Sequence, residues 1–374
     1  MAVQYLSEDD MYRTSTQYRL WSFGPEALLS LRQNTHLAAV ERAKQYLPDT
    51  DASTFLTLDE ETRLVQRYCD TISSTAAHLK WPSHVKATAI QYLKRFYLTN
   101  SVHTYPPKET YKSVLFLASK TEGIHMTLGD FAKSISSKPD QILAPEYKII
   151  QALRFTLDVR QPIRGLRGCY MELENLAHGR HLPLPFLAPR TAAELQQEMA
   201  TLAPPAQDNL SDWASAQGDE RALVDRAWAA YTAARVLLDN AALLTDAYFL
   251  YTPPQIYLAA LRLADRPLYD LYMALHLPSQ HPMHAQIMAT VSACARLMGD
   301  FDKSQVMSKD ERVSVEKRLE EVRDPTTIDL VKRHEEAKRG GAEEGILDEQ
   351  QAKKRKLARE ASMKEGDDLF GPSL

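Results

Sequence analysis

The chain is poor in the features that most quickly assign a function. It has three cysteines in 374 residues, Cys69, Cys169 and Cys294, and they lie far apart. No C-x-x-C pair exists, which excludes a disulfide framework and a cysteine-based zinc site, and fits a reducing compartment. No run of 18 uninterrupted apolar residues is present, so no membrane span is expected. Met1 to Tyr12 is polar and acidic, unlike a signal peptide. There is no excess of basic charge: the net charge is −4, which argues against nucleic acid as the direct partner. No G-x-x-x-x-G-K-[ST], G-x-S-x-G or H-R-D motif occurs, so the chain offers no constellation for catalysis. His276, His281 and His284 lack an H-E-x-x-H pattern or a nearby cysteine, and are read as a surface loop with no metal.

What is there is a repeat. Tyr105, Pro107, Tyr111, Leu115, Leu117 and Ala118 recur 146 residues later as Tyr251, Pro253, Tyr257, Leu261, Leu263 and Ala264, and Lys120 is matched by Arg266. A Tyr-x-Pro turn followed by a helix is thus written twice, which predicts two copies of one domain. Each copy is large enough for a core of its own.

Periodicity gives five helices per copy and no convincing strand. In the first, Thr57 with Glu60 forms a capping box, and Leu64, Val65, Tyr68, Ile72 and Leu79 follow on one face. Pro82, Pro106-Pro107 and Pro145 open later helices, where the missing N–H costs nothing. A short helix carries Leu128, Phe131 and Ile135. In the second copy helices are predicted near 163–177, 223–245, 254–265, 268–276 and 282–299. A Pro- and Ala-rich insert at about 180–220 reads as a loop with a short helix around 191–201. The domain plan is therefore an N-terminal helical extension at 1–47, a first domain at 48–158, a second at 159–300, and a charged C-terminal helix and tail at 301–374. The last segment holds 16 basic and 18 acidic residues, and Val313, Leu319, Val322, Leu330 and Val331 extend a helical pattern through its first part.

Two tandem five-helix domains with Pro-opened connections resemble the cyclin-box fold, an all-α class. Leu117-Ala118-Ser119-Lys120 with Glu122 resembles the third-helix motif of cyclins. Pro145-Glu146, with Ile149-Ile150, Leu153, Phe155 and Leu157, resembles the fifth-helix motif that closes the first box. Three further stretches are similar to the cyclin H branch, in its fungal-like form. They are Met11-Tyr12 with Ser15, Gln17, Arg19 and Trp21-Ser22-Phe23; Lys94-Arg95-Phe96-Tyr97-Leu98 with Asn100-Ser101-Val102; and Leu244-Thr245-Asp246-Ala247-Tyr248 with Leu250-Tyr251-Thr252-Pro253 and Gln255-Ile256. The resemblance spans roughly residues 11–300.

The resemblance implies a non-enzymatic activator with no cofactor. It would bind the catalytic subunit of the cyclin-dependent-kinase-activating kinase, alongside a RING-finger assembly factor, and reach the core of transcription factor IIH through that complex. It would act in the nucleus on transcription and, through activation loops of other kinases, on the cell cycle. By the same match, Lys120 and Glu146 would clamp backbone groups of the kinase, with Leu117, Ile150, Phe155 and Leu157 as an apolar floor. On residue chemistry alone, Lys120 and Glu146 read equally as helix-end charges, and the four apolar residues as core. Trp21 and Phe23 read either as a partner anchor or as pins holding the N-terminal helix to the first box. Lys353, Lys354, Arg355 and Lys356 read as a nuclear import signal or a solvated charge run. Many cell-cycle cyclins place an acid where Lys94 stands, so their internal ion pair is not expected. Two alternatives remain: a two-box DNA-binding factor like transcription factor IIB, disfavoured by the charge and by the absence of any cysteine before Cys69, and a transcriptional cyclin of the C, K or T type.

Overall fold

The computed structural model of the chain describes residues 12–180, 190–205, 219–327, 330–332 and 334. Among them every regular element is helical. None of the described helices is long and apolar enough to cross a membrane.

Two helices precede the first repeat, α1 (Thr16–Trp21) and α2 (Pro25–Tyr46). The first repeat follows as α3 (Leu58–His78), α4 (Ser83–Thr99), α5 (Pro107–Thr121), α6 (Leu128–Ser134), α7 (Pro139–Leu143) and α8 (Glu146–Ala152). Its starts are chemical. The Thr57 hydroxyl accepts the Glu60 N–H and the Glu60 carboxylate accepts the Thr57 N–H, forming the capping box of α3. Pro107 occupies the first turn of α5, and Gly123, at φ +73°, follows its end in the left-handed region. α4 is buried nearly all round, from Val85 and Ala87 through Leu98, as a central helix must be. α3, α5, α8 and α2 pack around it.

The second repeat comprises α9 (Ile163–Ala177), α10 (Ala192–Thr201), α11 (Glu220–Asp239), α12 (Ala241–Leu244), α13 (Ala247–Leu250), α14 (Pro253–Ala264), α15 (Arg266–His276) and α16 (His284–Gly299). The stretch expected as one helix over 223–245 breaks at Asn240, whose backbone (φ −125°, ψ −82°) is not helical. Its side-chain amide donates to the Val236 carbonyl, so it competes for a group the helix would use. The short helix of the insert docks through Leu195 and Met199, both fully buried. α14 lies at the centre, against α11, α16, α15 and α9. Gly165 on α9 admits it closely: a Cβ there would sit 2.4 Å from the Tyr257 ring. The buried Arg226 of α11 locks the repeat together. It makes a bidentate bond to Asp265 at 2.7 and 2.9 Å and donates to the Ala203 carbonyl at 2.8 Å, which ties the insert to the cap of α15.

A final helix, α17 (Lys309–Glu321), returns to the first repeat, with Val315, Leu319 and Val322 buried and Val313 exposed. The repeats share one contiguous apolar core. Lys94 bridges them: only 7% exposed, its ammonium donates to the carbonyls of Thr245 and, at 3.4 Å, Leu243, and lies 3.7 Å from Asp246. Asp246 also receives a bidentate bond from Arg32 of α2, 2.7 Å on each oxygen. Burial lowers the pKa of Lys94, and Asp246 only partly offsets it. Burial would raise that of Asp246, but the Arg32 bonds and the Lys94 charge outweigh it and hold the carboxyl below its ordinary range.

Candidate functional site: a surface at the end of the first repeat

Lys120 ends α5 and Glu146 begins α8, and the packing of these two helices brings the residues together from 26 positions apart. They form an ion pair with the Lys120 side chain 43% exposed, and the ammonium also stands 4.9 Å from the Phe116 ring centroid. Like charges are favoured at neither end: a cation suits the C-terminus of α5 and an anion the N-terminus of α8. The pair is therefore a satisfied helix-end contact whose lysine side is open and whose carboxylate is 14% exposed.

At the other end of α8 the chain turns sharply. Arg154 and Phe155 both adopt left-handed backbone, φ +53° and +55°. For two successive residues with side chains this costs on the order of 1–3 kcal/mol each. The Phe155 N–H closes the turn on the Ile150 carbonyl at 3.1 Å. Phe155 is left 66% exposed, as is Tyr147 in the first turn of α8. Tyr147 was not singled out from the sequence. Its position directly after Glu146, off the apolar stripe of α8, was the available signal.

The turn is braced from behind. The Trp21 indole N–H donates to the Thr156 hydroxyl at 2.9 Å, which donates to the Leu153 carbonyl at 2.7 Å. The Arg154 and Arg95 guanidiniums lie 5.6 and 5.1 Å from the Trp21 ring. Gln17 adds a second brace, accepting the Arg160 N–H at 2.7 Å and an Arg95 N–H at 3.3 Å.

Of the residues expected at this surface, Ile150 and Leu157 are half-buried against the core. Leu117 is 3% exposed and sits within the core, because the inward face of α5 takes it there, so it supplies no floor of its own. Trp21, expected as a partner anchor or a pin, is 1% exposed and serves as the pin; its surface is spent on Thr156 and the two arginines. Phe23 packs edge-on against Phe249 and donates its N–H to that residue's carbonyl at 2.8 Å, likewise an internal contact. Arg266, the repeat's counterpart of Lys120, begins a new helix and faces Asp270 at 3.8 Å, so the second repeat does not copy the pair. Lys353, Lys354, Arg355 and Lys356 lie outside the described residues.

A second cluster was not read from the sequence. His36, Glu61 and His103 bring ring nitrogens and a carboxylate within 4.8 Å of one another, a grouping able in principle to ligate a metal. Its atoms are engaged with the protein. Glu61 pairs with His36 at 2.8 Å and accepts the Val102 N–H at 2.9 Å, while His103 Nε2 accepts the Leu56 N–H at 3.3 Å. The cluster thus joins α2, α3 and the α4–α5 connection. His276 pairs with Glu172 at 2.8 Å and stacks on Tyr272.

Comparison with known proteins follows the same division. Residues 34–158 match the cyclin N-terminal domain and residues 161–299 the cyclin C-terminal domain. Cyclin CCL1 of Saccharomyces cerevisiae is 29% identical over 290 residues, 74% of this chain and 63% of that protein. The chain thus spans less than two thirds of that relative's length. Among solved structures, the Chaetomium thermophilum CAK complex bound to ATP-gamma-S contains a chain 33% identical, with a TM-score of 0.72, covering 90% of this chain and 96% of that one. A chain of the yeast TFIIK (Kin28/Ccl1/Tfb3) complex is 26% identical, with a TM-score of 0.54, over 77% of this chain and all of that one. Both cyclin domains are present, in order, on a scaffold shared with these assemblies: the chain belongs to the cyclin family.

Proposed function

We propose that the chain is a regulatory cyclin of the H type, which binds a cyclin-dependent kinase and holds it in its active state. The observation that carries this reading is the Lys120–Glu146 pair, with Lys120 43% and Glu146 14% exposed, on a surface where Tyr147 and Phe155, at the two ends of α8, stand outward. Lys120 would donate to, and Glu146 accept from, backbone groups of the kinase near its regulatory helix. Phe155, Tyr147 and the exposed parts of Ile150 and Leu157 would cover the apolar side of that helix. Charge-assisted bonds to main-chain groups tolerate sequence variation in the partner, while the rings supply buried area.

A kinase is competent only when its αC glutamate meets the lysine that holds the ATP phosphates. A cyclin surface that binds the inward position of αC shifts that equilibrium by its difference in affinity for the two states. Moving a population from 1:99 to 99:1 takes about 5.5 kcal/mol of such preference. An interface of about 1,600 Å² has ample capacity for it. The cyclin itself carries out no chemistry in this reading, and no group on it touches ATP.

The kinship with chains of CAK and TFIIK supports a finer assignment. The kinase would be the one that phosphorylates the C-terminal repeats of RNA polymerase II and the activation loops of other cyclin-dependent kinases. A RING-finger assembly factor would be the third subunit, the complex would join the core of transcription factor IIH, and the site of action would be the nucleus. The test is reconstitution: the purified chain is mixed with the cognate kinase and assayed on a polymerase repeat peptide. Stimulation of at least tenfold is expected, and no stimulation despite a folded cyclin would overturn the proposal.

A further inference from the structure

The first repeat and the returning α17 enclose a cleft of about 500 Å³ that plays no part in the proposed kinase contact. It lies toward the opposite end of α5 from Lys120, about 18 Å along the helix at 1.5 Å per residue. Four cations line it: Lys108 and Lys112 from α5, and Arg312 and Lys317 from α17. Two acids are there as well: Glu316 is paired within the cleft, whereas the nearest cation to Glu320 is an arginine, Arg323, that Glu109 already holds with two bonds at 2.6 and 2.7 Å. Glu316 accepts the Tyr68 hydroxyl and faces Arg312 at 3.6 Å, and Glu320 faces Arg323 at 3.8 Å.

The lysines are not matched in this way. Lys112 donates only to a neutral hydroxyl, Ser137, at 3.2 Å. Lys108 and Lys317 have no acid partner among the described residues. Lys108 and Lys112 stand four apart on one helix face, an arrangement that destabilises a helix by a few tenths of a kcal/mol. Arg312 differs from them, since its Nε–H already faces Glu316 at 3.6 Å. Burial, and then the charge of Lys108, lower the pKa of Lys112, as expected where positive charge lacks a counter-charge. A solvated charge face would not spend helix stability on converging its cations over one concavity.

We infer that this cleft is a binding site for a phosphomonoester carried on a peptide, a phosphoserine or phosphothreonine side chain. Such a group brings close to two negative charges and three acceptor oxygens on a compact head. Three lysines from two helices, Lys108, Lys112 and Lys317, provide point charges for it, with the Glu316-paired Arg312 beside them. The ring of Tyr111 and the exposed side chain of Val313 give the flanking peptide an apolar wall. A discrete cluster on a chain of net charge −4 suits a single phosphate better than a polyanionic strand.

The test uses the full-length protein and a short fluorescein-labelled Gly/Ser peptide carrying one phosphoserine, read by fluorescence anisotropy beside its unphosphorylated twin. The phosphorylated form should bind about tenfold more tightly. Lys108→Gln with Lys112→Gln should reduce that preference to about twofold or less, while Lys133→Gln with Lys138→Gln, elsewhere on the surface, should leave it intact. Should the first pair impair folding, Lys317→Gln on an exposed face must lower the preference by itself. Equal binding of the two peptides, a preference unchanged by the cleft variants, or a preference equally reduced by the control pair would overturn the site. Inorganic phosphate, or a single-stranded oligonucleotide, binding as tightly as the phosphopeptide would overturn the assignment of the ligand.

Discussion

Lys94, in the central helix of the first repeat, lies 3.7 Å from the Asp246 carboxylate of the second, and Asp246 is held in turn by Arg32 of the N-terminal helix. One carboxylate thus fixes three parts of the chain against one another. It joins α4 of the first cyclin domain, the α12–α13 connection of the second, and α2. Asp246→Asn leaves a buried ammonium without its anion and should destabilise by about 3–5 kcal/mol. Lys94→Met, which removes the charge and keeps the stem, should cost less. The midpoints of urea unfolding for the two variants and the double variant give the coupling directly, and additive losses would show that the pair is not a lock.

Trp21 carries the second claim about the N-terminal segment, that it braces the turn presenting Phe155. Trp21→Ala should lose about 3–5 kcal/mol of stability, as for other large buried aromatics. Trp21→Phe should lose about 1 kcal/mol, mainly the bond to Thr156. Both should weaken kinase binding in proportion to loosening of residues 153–157, measurable by amide hydrogen exchange. Faster exchange elsewhere with that turn unchanged would contradict the brace.

His103 makes stability depend on acid. It is fully buried, and burial pushes its pKa down to about 4, against the pull of Glu61 and with a small further push from His36. The unfolded chain takes up a proton near pH 6.5 that the folded chain refuses, so stability falls as pH drops through that value toward 4. Between pH 7 and pH 5 the loss from this residue is about 2 kcal/mol. Glu60 also acts on it, and His276, raised by its bond to Glu172 in spite of burial, works with the opposite sign, losing stability as pH rises, though it is one-third exposed and counts for less. His103→Gln should be less stable at pH 7 and show a flatter decline to pH 5 in urea titrations. A parallel decline would assign the acid sensitivity elsewhere.

Much of the architecture was legible because its signals are local. Proline at helix starts, the Thr57–Glu60 box and the 3.6-residue stripes each act within one or two turns, and they placed the long helices of both repeats and α10 within the insert, but not the one-turn helices α7, α12 and α13, which are too short to show a stripe. The breaks were less visible. Asn240 ends a helix through one side-chain bond to its own preceding turn, which composition does not reveal. At the site, Lys120 and Glu146 were legible by likeness alone, since each is also an ordinary helix-end charge. The burial of Leu117 and Trp21 and the exposure of Phe155 were not, because they depend on how α1, α5 and α8 meet. The role of Lys94 shows the same limit: the residue type excluded one familiar ion pair, and only the packing of the second repeat supplied another.

Lys120 and Glu146 act, in this proposal, as contact residues rather than structural ones. A partly exposed pair of this kind contributes at most about 1 kcal/mol to folding. The measurement is the dissociation constant of the kinase for the wild-type chain and for Lys120→Ala with Glu146→Ala, by surface plasmon resonance, with thermal melts of both cyclins alongside. The account predicts a loss of affinity of about a hundredfold with melting shifted by no more than a few degrees. Unchanged affinity, or a collapse of the fold that accounts for the loss, would contradict it.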